Sequence, residues 1–304
     1  MRNMKDATVF SLLLLMCLFC SCEKVILEQE SSASEDEVNV VLTVTDVELY
    51  ANGGYTRGLT PVEKACTRLC FAVYRDGTRV KYENQKYGDS DYGTASMKLE
   101  AGSYQVLILG HSGAANPSTT KATQIKFSNQ TASGGSGYTD TFYYYADLKV
   151  TNGMPTQEYV LERATAMFRL IVNDEIPSNV KRFYFYYTGG SGQLDATTGY
   201  GNANSQQKVY IDVDDSSDGQ PTEFELYTFP HENGQTVTFK VEAQDADGNA
   251  LCSREFKAQM ERNFITQYSG DFFTKGDPDN PDEPDENGMI WVDTTWDGID
   301  EYTY

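Results

Sequence analysis

The sequence predicts an all-β protein, two tandem antiparallel β-sandwiches behind a short leader. Three observations carry this. Apolar residues alternate with polar ones in short runs, the signature of half-buried strands. Asp-Gly pairs at Asp76-Gly77 and Asp247-Gly248 sit between such runs at hairpin spacing. Beyond the leader, no stretch of ten or more residues repeats apolar side chains at helical spacing with caps, save one candidate at Thr60 to Cys70, where Thr60-Pro61-Val62-Glu63 can open one or two turns.

The elements follow in chain order. Arg2 and Lys5 precede the apolar run Leu12 to Phe19, which stops at Cys20-Ser21-Cys22 and turns polar at Glu23. The run is too short for a hydrocarbon core of about 30 Å. A small Ser21 before a cysteine marks a lipoprotein signal, residues 1–21, whose cleavage leaves Cys22 as the lipidated first residue, although Phe19 stands where Leu is usual. Residues 22–37 then form a lipid-proximal tether. The first sandwich, 38–155, opens with the strand Val38 to Val44. A hairpin follows, with Leu69, Phe71 and Val73 on one arm and Val80 and Tyr82 on the other. Tyr104 to Leu109 is apolar on both faces in its second half and is expected at the centre of its sheet. Gln124 to Phe127 and Thr141 to Val150 complete the set, around Ser/Gly/Thr-rich loops.

A pause at Thr151 to Thr156 separates the second sandwich, 156–274. Its strands start near Glu158 and continue at Ala164 to Val172, Val180 to Tyr187, Lys208 to Val213, Thr222 to Phe229, Thr236 to Ala243, the return arm through Leu251 and Phe256, and Ile265 to Phe273. Residues 275–288 read Lys-Gly-Asp-Pro-Asp-Asn-Pro-Asp-Glu-Pro-Asp-Glu-Asn-Gly, an extended acidic linker. The tail, 289–304, restores β-formers in Met289, Ile290, Trp291 and Val292. Too short to fold alone, it either adds to an exposed sheet edge as a donor strand or folds back on its own domain.

Composition narrows the function. The 304 residues carry a formal charge of −21, with 45 acidic against 24 basic side chains, which excludes phosphate recognition by clustered Lys and Arg. A chain held outside the inner membrane has no cytosolic nucleotide pool, so energy-coupled chemistry is a poor fit. Of six cysteines, Cys66, Cys70 and Cys252 remain after the leader and Cys22 are set aside. Three is odd, and buried thiols are favoured over a Cys66–Cys70 bridge. With only His111 and His231 in the chain, no zinc signature forms, and no catalytic, cofactor or metal residue is expected.

Other constellations have plain structural readings. Gly134-Gly135-Ser136-Gly137 and Gly189-Gly190-Ser191-Gly192 lack the spacing of a hydrolase elbow. Asp212 to Asp218 and Asp245, Asp247 and Asn249 lack the full calcium-loop ligand set. The aromatic runs Phe142 to Tyr145 and Phe183 to Tyr187 fit cross-strand packing, but they also motivate the alternative function, a glycan-binding surface lipoprotein.

Four segments in this order resemble the fimbrillin-associated anchor proteins and related lipoprotein-derived subunits of type V pili. They are Cys66-Thr67-Arg68-Leu69-Cys70-Phe71-Ala72-Val73-Tyr74-Arg75-Asp76-Gly77, Leu99-Glu100-Ala101-Gly102-Ser103-Tyr104 with Leu109-Gly110-His111-Ser112, Leu161-Glu162-Arg163-Ala164-Thr165-Ala166-Met167-Phe168, and Arg262-Asn263-Phe264-Ile265-Thr266-Gln267-Tyr268-Ser269-Gly270. The resemblance implies transthyretin-like sandwiches, export as an outer-membrane lipoprotein, a place in a cell-surface fimbrium and fimbrial subunits as partners through strand complementation. It also implies that polymerising subunits are cut after an arginine and lose their first strand, whereas anchors keep it. Arg57, in Gly53-Gly54-Tyr55-Thr56-Arg57-Gly58, is the candidate maturation site, expected in a glycine-rich loop; the anchor-type match favours its being an ordinary loop residue.

Overall fold

The computed structural model describes residues 38–51, 56–127, 137–213, 221–273 and 298–303. In chain order its strands are β1 (Val40–Ala51), β2 (Thr56–Pro61), β3 (Arg68–Arg75), β4 (Thr78–Lys86), β5 (Thr94–Met97), β6 (Gly102–His111), β7 (Ile125–Lys126), β8 (Thr141–Val150) and β9 (Gln157–Arg163). They continue as β10 (Ala166–Val172), β11 (Arg182–Thr188), β12 (Gln193–Asp195), β13 (Tyr200–Gly201), β14 (Gln206–Asp212), β15 (Thr222–Thr228), β16 (Gln235–Gln244), β17 (Ala250–Met260), β18 (Phe264–Gly270) and β19 (Gly298–Thr303). The one helix among the described residues, α1 (Val62–Ala65), is the single turn that Pro61 can initiate. The all-β class predicted from the alternation is the class observed.

The first sheet runs β2-β1-β9-β8-β6-β3-β4, with β5 also on β1. The ladder between β8 and β9 holds two pairs, Phe142↔Arg163 and Tyr143↔Glu162. Across that weak join, β1, β5 and β9 on one side and β3, β6 and β8 on the other bury their apolar residues in one shared core. In β1 the buried positions Val40, Leu42 and Val44 alternate, and then the spacing slips to Val47. The slip coincides with a register shift between Val44 and Asp46 against β9, where a bulge turns the next side chains by one position. At the tip of the β3–β4 hairpin, Asp76 and Gly77 both take positive φ, 51° and 75°, as a two-residue turn matched to strand twist requires.

Strand β6 is apolar on both faces because both faces are covered. Tyr104, Val106 and Ile108 enter the first core, while Leu107 and Leu109 join Cys70, Ala72 and Tyr74 of β3 on the outer side. Ile125, Phe127 and Tyr138, with Leu194, Ala196 and Phe229 from the second half, cover that side. The small sheet β13-β12-β7 threads this layer and draws strands from both halves.

The second sandwich packs β15-β10-β18-β19 against β14-β11-β16-β17. Alternate residues of β11, namely Phe183, Phe185 and Tyr187, point into its core. At the centre Phe168 stacks on Phe239 with ring centroids 3.9 Å apart and planes at 12°, and Tyr187 stacks on the same Phe239 at 4.8 Å. The sheets also contain parallel pairs, β1 with β9, β10 with β18 and β18 with β19. The strand expected to open the second half near Glu158, β9, instead pairs β1 and sends Tyr159 and Leu161 into the first core. Alternation identifies a strand but carries no information about which sheet receives it.

Candidate functional site

In a strand-built protein, the surfaces that can recognise a partner backbone are sheet edges. One of them is already filled by the chain's own end. β19 lies beside β18 in parallel register from Phe264↔Gly298 to Ser269↔Thr303. The Tyr268 and Tyr302 rings stack across this pair, centroids 4.8 Å apart and planes at 17°. Tyr268 in turn donates its hydroxyl hydrogen to the Lys257 carbonyl at 2.8 Å and touches Phe256 and Phe168 in the core. Tyr302 stays 41% exposed, so the added strand is held from one side. The expected tail strand therefore folds back on its own domain, at Gly298–Thr303. Met289, Ile290, Trp291 and Val292, the residues picked as donor strand from sequence, lie outside the described residues, as does Cys22.

The second candidate is the amino-terminal strand. β1 is interior, flanked by β9 on one side and by β5 and β2 on the other. Val40, Leu42, Val44 and Val47 are at most 2% exposed, so this strand supplies one wall of the first core. Arg57 does not sit in the glycine-rich loop expected for it. It belongs to the edge strand β2, opposite Tyr50 of β1. Thr56-Arg57-Gly58-Leu59-Thr60 is short and holds a glycine, which masks its strand character; the pairing is supplied by β1 rather than by local propensity.

Two of the sequence segments singled out above meet at the seam between the halves. Arg163, at the end of β9, donates from Nε to both Asp140 carboxylate oxygens at 3.0 Å and pairs through Nη2 at 2.9 Å. Its Nη1 donates to Asn263 Oδ1 at 2.8 Å. Thr165 Oγ1 donates to Asp140 Oδ1 at 2.7 Å, and the Asn263 amide donates to the Thr165 carbonyl at 2.9 Å. Asn263 holds φ of 63°, a conformation that asparagine tolerates better than most residues. Next to it, Arg262 donates to the Tyr143 hydroxyl at 2.8 Å. The role of Asp140 escaped the sequence, because nothing local marks it as the partner of an arginine 23 positions away.

Gly134 to Ser136 and Asp214 to Asp218 lie outside the described residues; the constellations on described residues are explained by packing and turns. Asp245 Oδ1 accepts from the Asp247 and Asn249 amides at 2.9 and 2.8 Å, and its Oδ2 from Asn249 Nδ2 at 3.0 Å. These bonds, foremost the one from Asn249, hold its carboxyl below the usual range. Among the described residues no cluster of three potential metal ligands forms. Ser191 is buried and donates to the Gln193 carbonyl at 2.7 Å, as a turn residue does. Tyr184 and Tyr210 stack on each other at 4.8 Å, and the Arg182 guanidinium lies over the Tyr210 ring at 4.8 Å, so these aromatics pack across neighbouring strands. His111 is fully buried, and its Nδ1 accepts from the Gly113 amide at 3.1 Å. Burial, reinforced by Arg68, lowers its pKa to about 4. Cys66 and Cys70 are buried free thiols that burial pushes up, Cys70 to about 12.

Comparison with known proteins decides the family. The family described as fimbrillin-A associated anchor proteins Mfa1 and Mfa2 matches residues 27–295. The chain belongs to this family. Among solved structures it is similar to the fimbrial anchor protein Mfa2 from Porphyromonas gingivalis, at 14% identity, covering 71% of this chain and 81% of that one with a TM-score of 0.43. A candidate adhesin from Bacteroides ovatus is 12% identical, with 81% and 94% covered and a TM-score of 0.49. A fimbrial assembly protein from Parabacteroides distasonis is 13% identical, with 76% and 90% covered and a TM-score of 0.37. No curated protein matches. Membership in the Mfa1 and Mfa2 family makes the chain a fimbria-associated structural protein rather than a member of an enzyme family.

Proposed function

We propose that the chain is a lipid-anchored fimbrial subunit of the anchor or minor type, tethered to the outer membrane through Cys22 and joined to other subunits by β-strand addition. The observation that carries this reading is the place of β1. A strand that contributes four fully buried residues to the first core and is bordered on both sides is one the folded subunit keeps. A cut after Arg57 would detach β1 from the rest of the chain, and only the ladders and the core contacts would then hold it. With β1 retained, its buried side chains stay in the first core, which suits a subunit at the end of a fimbria. The sheet edges then remain for docking, with β19 as the exchangeable strand: its six-residue ladder is replaceable by the same ladder on a neighbour.

Three measurements test the reading. Metabolic labelling with a fatty acid should place an acyl chain on the mature amino terminus, and Cys22→Ser should abolish both label and membrane retention. Mass spectrometry of surface-extracted protein should find the chain beginning at Cys22; a terminus at Gly58 contradicts the anchor role. Deleting residues 275–304 should leave the tether intact but weaken retention of fimbriae on the cell.

A further inference from the structure

Both halves of the chain repeat one topological device. In the first, the entering strand β1 and the leaving strand β9 lie side by side and parallel, from Leu42↔Gln157 to Glu48↔Glu162. In the second, the entering strand β10 and the leaving strand β18 do the same, from Met167↔Ile265 to Val172↔Gly270. When a chain is pulled by its two ends, parallel strands of this kind are loaded in opposite directions along their own axes. Every ladder hydrogen bond then carries a share of the force, and the ladder fails only when the bonds break together. Pulled from the same end, the same ladder opens one bond at a time.

The surroundings make these ladders the elements that bear the load. β9 has two residue pairs with β8, so its attachment to the first sheet is mainly the six pairs with β1. Sliding β1 past β9 would also drag Leu42, Val44 and Val47 past Tyr159 and Leu161 inside a closed core, which adds burial to the resistance. Between the two ladders, the Arg163–Asp140–Asn263 network ties the end of β9 to the turn that starts β18. Only the buried Ala164 and Thr165 separate β9 from β10, so force leaving the first ladder enters the second along a short covalent connection, and the network braces that connection against the start of β18.

We propose that the chain is a force-bearing link with two shear clamps in series, β1–β9 and β10–β18, along the path from Val38 to Asp271. Its use, resisting tension between a membrane and a fimbria, rests on the anchoring reading given above; the mechanical property itself does not.

Single-molecule pulling tests this on soluble chain 22–304 carrying Cys22→Ser and Cys252→Ser, with paired cysteine handles at exposed or strand-end positions. For the first clamp, Val38→Cys with Glu162→Cys loads β1 and β9 in shear, whereas Ala51→Cys with Glu162→Cys peels them from the same end. For the second, Glu162→Cys with Asp271→Cys shears and Asn173→Cys with Asp271→Cys peels. Thermal unfolding of each variant verifies that the fold is kept. At one loading rate the shear pairs should rupture at a force at least about twofold above the peel pairs, because forced rupture follows the barrier to unfolding. Equal forces in the two directions, or stronger peel pairs, would overturn the proposal. Because no lipid is present in the assay, failure of acylation at Cys22 and failure of the clamps are separate results.

Discussion

Arg163 Nη1 reaches Asn263 Oδ1 across 2.8 Å of space and 100 residues of sequence, and this bond closes the seam between the two halves of the protein. The guanidinium is 4% exposed and also holds Asp140, so it is a buried charge whose donors are spent on both halves. Removing it should leave the Asp140 carboxylate and the Asn263 carbonyl oxygen short of donors.

Arg163→Ala should therefore destabilise the fold by about 1–3 kcal/mol, the range for leaving acceptors short of donors, since water reaches the part-exposed Asp140. Arg163→Lys should recover only part of this, since an ammonium lacks the planar fork that serves both partners. Urea-unfolding midpoints of the three proteins check the order; a lysine variant as stable as the parent would contradict the bidentate role.

His111 should make stability fall as the solution is acidified. Its folded pKa, about 4, lies below the ordinary value near 6.5, so the native state favours the neutral ring. The contribution is complete above about pH 6.5, is lost as pH falls towards 4 and levels off below, amounting to about 3 kcal/mol at most. Unfolding followed from pH 7 to 4 in the parent and in His111→Phe should show a shallower slope in the variant; parallel slopes would refute it.

Cys66 and Cys70 should resist alkylation in the folded protein, since burial raises both thiols, and only the thiolate reacts. Half-buried Cys252 should label first. Mass spectrometry after timed iodoacetamide treatment, with and without urea, distinguishes these; early modification at Cys70 would mean the outer layer over β3 opens readily.

Gly110 has no room for a side chain. A Cβ there would lie 2.7 Å from Cys66 Sγ and 3.1 Å from Leu161 Cδ1. Gly110→Ala should cost about 1–3 kcal/mol by overpacking. Cys66→Ala clears the sulfur, so in the double variant the two costs should sum to less than their separate values. Strict additivity in thermal unfolding would rule out this contact as the cause.

Truncation at residue 297 removes β19 and leaves the β18 edge without its ladder. Amide exchange across Phe264 to Gly270 should accelerate while β1 and β6 stay protected. Unchanged exchange in β18 would show that β19 contributes no protection there.

Much was legible in the chain itself, because strand character is local. The alternation in Val40, Leu42 and Val44, the Asp76-Gly77 turn with its two positive φ values and the double-sided apolarity of Leu107 to Leu109 all declare themselves within a few residues. The sequence by itself determined the class, most of the longer strands and the Asp-Gly hairpins, since side-chain period and turn chemistry depend only on neighbours. Tertiary structure alone decided that β9 joins β1, that β2 draws Arg57 into a strand, that the last strand is Gly298–Thr303 lying parallel to β18, and that Asp140 and Asn263 share one arginine. Pairing between distant strands is settled by which buried faces complete a common core, a property of the whole chain that no short window contains.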